Sequence, residues 1–156
     1  MKKILILGMG NPILSDDGVG LVMAERLRKR IKNAEVAANA MIGLGLLEQI
    51  IGYDKVFIID ALTSPDGNIG ELKIISENNG CGSLHLFSSH GLNIFDLMEL
   101  GKRCGYAVPD LVAVYGIDIG NESAFGMRLT PTLHKRMDGL ERAIVKDMLE
   151  REPLLQ

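Results

Sequence analysis

Two carboxylates and an imidazole stand where a folded sheet would bring them to one edge. Asp16 and Asp17 close the run Gly8-Met9-Gly10-Asn11-Pro12-Ile13-Leu14-Ser15-Asp16-Asp17-Gly18. Asp60 follows the apolar run Val56-Phe57-Ile58-Ile59, and His90 lies in Ser88-Ser89-His90-Gly91. Two carboxylates and one imidazole can hold a divalent metal with positions left open for water or substrate. With no thiolate among them, such a site binds its metal weakly or transiently. The same three groups could also perform general acid–base chemistry without a metal. Taken singly, each has a plainer account. An acid near a helix start caps it and suits its dipole, an aspartate after a strand starts a turn, and a histidine at a helix entry serves as a surface or cap residue. Two adjacent aspartates loosen the first account, because one can cap while the other faces a crevice. The case for Asp17, Asp60 and His90 is that they converge from three separate turns.

Other hydrolytic signatures are missing. The sequence has no His-Glu-x-x-His helix and no Gly-x-Ser-x-Gly elbow. Cys81 and Cys104 have no motif that would activate a thiolate, and His85 and His134 read as ordinary. A triad assembled from distant residues stays open. The Gly8 turn resembles a dinucleotide fingerprint only in part. The third glycine is replaced by Ile13, the second strand ends in Asn39-Ala40 rather than an acid, and the two aspartates would repel a phosphate. Gly8 and Gly10 read instead as positions of sharp turning and close backbone approach.

The elements that must position these residues alternate. Ile4–Leu7 is a short continuous apolar run that suits a strand buried on both faces. Val19, Val22, Met23, Leu27 and Ile31 follow at helical spacing. Further strands are predicted at Glu35–Ala40, at Val56–Ile59 ending at Asp60, at Leu111–Ile117, and at Glu71–Ile75, whose polar–apolar alternation suits a sheet edge. Helices are predicted at Leu44–Ile51 and Leu92–Cys104, with Ser88 and Ser89 as candidate caps. One long last helix is predicted over Thr130–Leu149, opened by Thr130-Pro131. Met41, Met98, Met127, Met137 and Met148 are core candidates, Met41 also being a possible substrate contact. The result is an α/β fold, a three-layer α/β/α sandwich around a mostly parallel, twisted five-stranded sheet with one antiparallel strand. Ligands of such sheets bind beyond the carboxyl ends of the strands, which puts chemistry at the turns after Leu7, Ala40, Ile59 and Ile117.

The bulk numbers narrow the function classes. A chain of 156 residues, 47% apolar and 24% charged, fits one domain spanning 1–156 with a core that needs no staples. The formal net charge of −3 speaks against nucleic acid as partner. The basic run Arg26, Arg28, Lys29, Arg30 and Lys32 falls where a helix ends, and reads as a solvated end that suits the dipole. No apolar run reaches the roughly 18 residues of a membrane span. Two cysteines without CxxC spacing point to a reducing, cytoplasmic setting.

With these residues in place, a family resemblance emerges. Leu7-Gly8-Met9-Gly10-Asn11-Pro12-Ile13-Leu14-Ser15-Asp16-Asp17-Gly18-Val19-Gly20 is similar to the first signature of hydrogenase maturation proteases. Ile58-Ile59-Asp60-Ala61 resembles the second signature and Ser89-His90-Gly91-Leu92 the third, in the same order. The resemblance implies a cytoplasmic endopeptidase that cuts once near the C-terminus of the large-subunit precursor of a nickel–iron hydrogenase, after nickel insertion. It implies Asp17, Asp60 and His90 as catalytic, metal-contacting groups. The nickel would come from the substrate, so the purified protein can be metal-free. One stretch departs from the family pattern. Many members carry an acid, Gly, Thr and a further Gly after the second strand, where this chain has Asn39-Ala40-Met41-Ile42-Gly43. Gly43 matches and Asn39 replaces the acid. Asn39, Met41 and Gly43 are the candidate substrate contacts, and the change leaves open which hydrogenase is served. Two other functions compete: an assembly chaperone that binds the precursor without cutting it, and a Rossmann-like nucleotide-binding protein.

Overall fold

A computed structural model describes residues 1–39, 44–76, 94–121 and 124–156. The strands are β1 (Ile4–Met9), β2 (Glu35–Asn39), β3 (Lys55–Leu62), β4 (Leu72–Ile75) and β5 (Asp110–Asp118). The helices are α1 (Val19–Arg28), α2 (Leu44–Ile50), α3 (Ile94–Arg103), α4 (Pro131–His134) and α5 (Met137–Arg151), with a 3-10 turn at Ser15–Gly18 leading into α1 and another at Pro153–Leu155 after α5. The sheet order is β2-β1-β3-β5-β4. β1 pairs in parallel with β2 and β3, β3 pairs in parallel with β5, and the edge strand β4 runs antiparallel to β5. This is the predicted mostly parallel sheet with one antiparallel strand.

Alternation along the strands divides the apolar residues between two layers. Ile4, Ile6, Phe57, Ile59, Ala61, Tyr115 and Ile117 face α1, α4 and α5, where Val19, Met23, Leu27, Leu133, Leu140, Ile144 and Met148 cover them. Leu5, Leu7, Met9, Val56, Ile58, Leu62 and Val114 face α2 and α3, beneath Leu46, Leu47, Ile50, Ile94, Leu97 and Met98. Strands buried on both faces are mostly apolar, which is why β1 and the Val56–Ile59 part of β3 read as unbroken runs.

Helix α1 packs unusually close to the sheet. A Cβ on Gly20 would stand 2.5 Å from the Ile59 carbonyl oxygen and closer still to that of Met9. Gly8 meets the Gly20 carbonyl in the same way, so the glycine-to-backbone approach read from the sequence holds. Across the outer side of this layer, Arg26 bonds both Asp138 and Glu141, and Arg30 donates to Glu141 at 2.9 Å. Arg28 donates to Glu25 within its own helix at 3.1 Å. Two members of the basic run, Arg26 and Arg30, thus tie to α5, and a third, Arg28, is paired within α1, rather than forming a binding patch.

Three expectations need correction. Strand β3 does not stop at Asp60 but continues to Leu62, because β5 runs beside it, pairing Asp60 with Gly116 and Leu62 with Asp118. The last helix is two helices. Thr130 caps α4, accepting from the Leu133 N–H, and Pro131 takes the first position as predicted. At Arg136 the hydrogen bonding then tightens to the Leu133 carbonyl, three residues back, before α5 begins. Met98, Met137 and Met148 are buried, but Met127 is 85% exposed. Its segment is held by its backbone and leaves its side chain in solvent.

Candidate functional site

The site is built where β1, β3 and the start of α1 meet. Gly8 pairs with Ile59 in register, so Met9, the last residue of β1, falls next to Asp60, two residues before the end of β3. On the other side of β1, Met9 pairs with Asn39, the last residue of β2. Asp60 stands between Ile59 and Ala61, both turned toward α1, and so projects on the α2/α3 face. Beyond β1 the chain turns at Gly10, whose φ of +154° favours glycine, and whose backbone lies against the Asp17 carbonyl. The Asn11 N–H donates to Asp17 Oδ2 at 3.0 Å, which folds this carboxylate back over the turn.

Asp17 and Asp60 are each only 6% exposed. Burial pushes the Asp60 carboxyl up to about 7; the N–H of Ala61, donating to Oδ1 at 2.8 Å, opposes this, and the nearby Asp17 charge adds to it. An acid and base that titrates near neutrality, next to a second carboxylate, is the arrangement expected of a reaction centre or an open cation site. Among the described residues no three His, Cys, Asp or Glu side chains gather as a metal cluster. His90, like Met41 and Gly43, lies outside the described residues, as do Ser88 and Ser89.

The two adjacent aspartates divide their work, but not as helix caps. Gly18 precedes α1 and no side chain caps that helix. Asp16 points the other way, accepting from the Thr130 N–H at 2.7 Å and from Thr130 Oγ1 at 2.8 Å. It holds the entry of α4 against the turn, which leaves Asp17 on the Asp60 side. Asn39 Nδ2 donates to Gln49 Oε1 of α2 at 2.7 Å.

Sequence spacing does not single out Asp118, which the structure places in the same region. This fully buried acid ends β5 on the same sheet face as Asp60. It accepts from Ser64 Oγ at 2.5 Å and from the Gly120 N–H at 2.8 Å, pinning the turn that follows β3. Its only signal in the sequence is an acid at a strand end. A groove of about 540 Å³ lined by Lys2, Lys3, Lys32 and Tyr53 lies at the opposite, amino-terminal edge of the sheet and holds none of these residues. Strand polarity favours the Asp17–Asp60 edge for chemistry.

The family model for hydrogenase maturation protease (HycI) matches residues 21–147. The chain belongs to the hydrogenase maturation protease family. Membership makes the protein a peptidase, and the matched span contains Asp60 and His90 and opens just past Asp17. The chain is 26% identical over 140 residues to the hydrogenase 2 maturation protease of Escherichia coli (strain K12), covering 87% of this chain and 84% of that one. Its fold is also that of the hydrogenase maturating endopeptidase HybD from E. coli, with a TM-score of 0.75, 24% identity, and 96% and 94% of the two chains covered. The maturation protease HycI from Thermococcus kodakarensis KOD1 gives 0.68 at 24% identity, covering 93% and 91%. No helix among the described residues is long and apolar enough to cross a membrane.

Proposed function

We propose that this protein is an endopeptidase that removes the C-terminal extension of a nickel-loaded hydrogenase large-subunit precursor in the cytoplasm. Asp17, Asp60 and His90 are its catalytic, metal-contacting residues, and the nickel arrives with the substrate. The observation that carries the reading is the pair of buried carboxylates, one of them titrating near 7. Two such groups in a dry site repel one another, and a divalent cation relieves that repulsion.

Selectivity for a loaded precursor follows from the same pair. Near neutrality Asp60 is divided about equally between the carboxylate and the neutral acid, the latter a poor ligand and a poor base. A metal-bearing tail displaces the proton, because ligation requires the carboxylate. The substrate's nickel then orients the tail and can polarise the scissile carbonyl, while Asp17 or Asp60 is available to take a proton from the attacking water. The entry of α3 at Ile94 lies on the Asp60 face of the sheet, and His90 precedes Ile94 by four residues of sequence, which supports its place in the set. Asn39, at the end of β2, and Met41 and Gly43, which follow it in sequence, contact the substrate and select the hydrogenase served.

Intact-mass analysis tests this directly. Loaded and nickel-free precursors are incubated with the protein. Loss of a C-terminal peptide from the loaded form alone is the expected result. Cleavage of both forms would overturn the nickel gate. An unchanged loaded precursor in a stable complex would make the protein an assembly chaperone.

A further inference from the structure

Next to the Asp17 turn three exposed apolar side chains stand on a fixed frame. Phe125 is 86% exposed, Met127 85% and Ile13 50%. Among the described residues, leaving aside Met1, no other large apolar side chain is as exposed as the first two. Apolar groups grouped in this way on a soluble surface mark a place where something docks.

The frame is built from backbone. Leu14 bridges Gly126 in parallel, the Ser15 N–H donates to the Gly126 carbonyl at 2.7 Å, and the Gly126 N–H donates to the Ile13 carbonyl at 2.9 Å. Ser15 Oγ donates to the Arg128 carbonyl at 2.7 Å. Ser15 itself adopts φ +46°, an unfavourable conformation for a serine that the surrounding bonds must enforce. Asp16 adds its two bonds to Thr130. Five hydrogen bonds therefore hold 126–130 alongside 13–16 against the strain at Ser15 and leave the apolar side chains outside, where covering them with a partner would be favourable.

We infer that Ile13, Phe125 and Met127 form a docking ledge for an apolar segment of the protein substrate flanking the bond that is cut. The inference rests on the peptidase reading above. The ledge is continuous with the site, since Ile13 belongs to the same turn as Asp17. A polypeptide reaching Asp17 along residues 13–15 would meet Phe125 and Met127, which flank Gly126, the residue hydrogen-bonded to that stretch.

The test is the F125A/M127A double variant. Both side chains lie in solvent, so its melting temperature should match the wild type, as should that of Y106A, a control for an exposed aromatic at the opposite end of the sheet. Against a nickel-loaded hydrogenase large-subunit precursor, the double variant should lose about tenfold or more in kcat/KM and in affinity, as for loss of two interface anchors. Y106A should lose neither. Wild-type cleavage with the double variant within about twofold would overturn the ledge and leave the peptidase reading intact. If the wild type does not cut, that reading fails, and the affinity comparison alone decides the ledge: a tenfold loss upholds it and equal binding overturns it. A wild-type dimer that the double substitution converts to monomer, with cleavage unchanged, would assign the ledge to a second copy of this chain and overturn the inference.

Discussion

Asp17 and Asp60, one from the turn after β1 and one from within β3, lie close enough that the charge on the first raises the proton affinity of the second. Burial contributes more than that charge does. Asp17→Asn should therefore lower the Asp60 titration below 7 and still leave it above an ordinary aspartate. Carboxyl NMR titration of the two proteins measures this, and an unchanged midpoint would mean the two carboxylates do not sense one another.

The raised value also makes stability depend on pH. The folded state binds the Asp60 proton more tightly than the unfolded chain, whose aspartate titrates near 3.8. This contribution is complete below that value and is lost as pH rises to about 7. Asp60→Asn mimics the neutral acid. It should match the wild type near pH 4 and exceed it above pH 7, by an upper limit on the order of 4 kcal/mol. Urea midpoints across that range check this; parallel curves would contradict it. The same variant should cut no precursor, an inactive enzyme more stable than its parent.

Asp16 and Asp17 should separate by experiment. Asp16→Ala leaves the Thr130 N–H and hydroxyl without their acceptor and should cost about 1–3 kcal/mol, with cleavage surviving well below the melting temperature. Asp17→Asn should abolish cleavage. Denaturant titration paired with single-turnover cleavage reads both, and the reverse pattern would exchange their roles.

Two Gly→Ala changes should have opposite signs. In Gly20→Ala the new methyl meets two backbone carbonyls that cannot step aside, and about 2 kcal/mol or more should be lost. In Gly139→Ala, on the exposed side of α5, the methyl touches only the far end of Arg142 at 3.9 Å. Helix propensity should then gain about 0.5–1 kcal/mol. Thermal melts of the pair suffice.

The clamp between α1 and α5 should depend on one member. Glu141 is buried and accepts from Arg26 and Arg30, whereas the Asp138 side chain is 76% exposed. Glu141→Ala should cost about 2–3 kcal/mol by removing the buried carboxylate that both Arg26 and Arg30 bond, and Asp138→Ala less than about 1 kcal/mol. Equal losses would show that the clamp is a diffuse surface effect.

What the sequence discloses follows from how local each cause is. The unbroken runs of β1 and β3 announce strands covered on both faces, and the alternation of β4 announces an edge. Asp60 reads as a strand's end because polarity is the local cue; its place inside β3 is decided by the neighbouring β5, which no window of sequence contains. The pair Asp16-Asp17 advertises a division of labour, but the partner that takes Asp16 is Thr130, 114 residues away. Met127 looks like core by type and lies in solvent because backbone bonds, not its side chain, fix its segment. Asp118 is hidden for the same reason: its burial comes from the turn that Ser64 brings back over it.

The bond from Asp16 to Thr130 makes the opening turn and the last two helices one cooperative unit. Fraying of α4 would free Asp16 and slacken the turn that carries Asp17. The Thr130 and Asn11 amides, one held by Asp16 and the other by Asp17, should then exchange with solvent through a common opening. A molecule whose C-terminal helices are still assembling would not yet hold the Asp17 turn in place, so under the proposed function its activity would await the completion of its own folding.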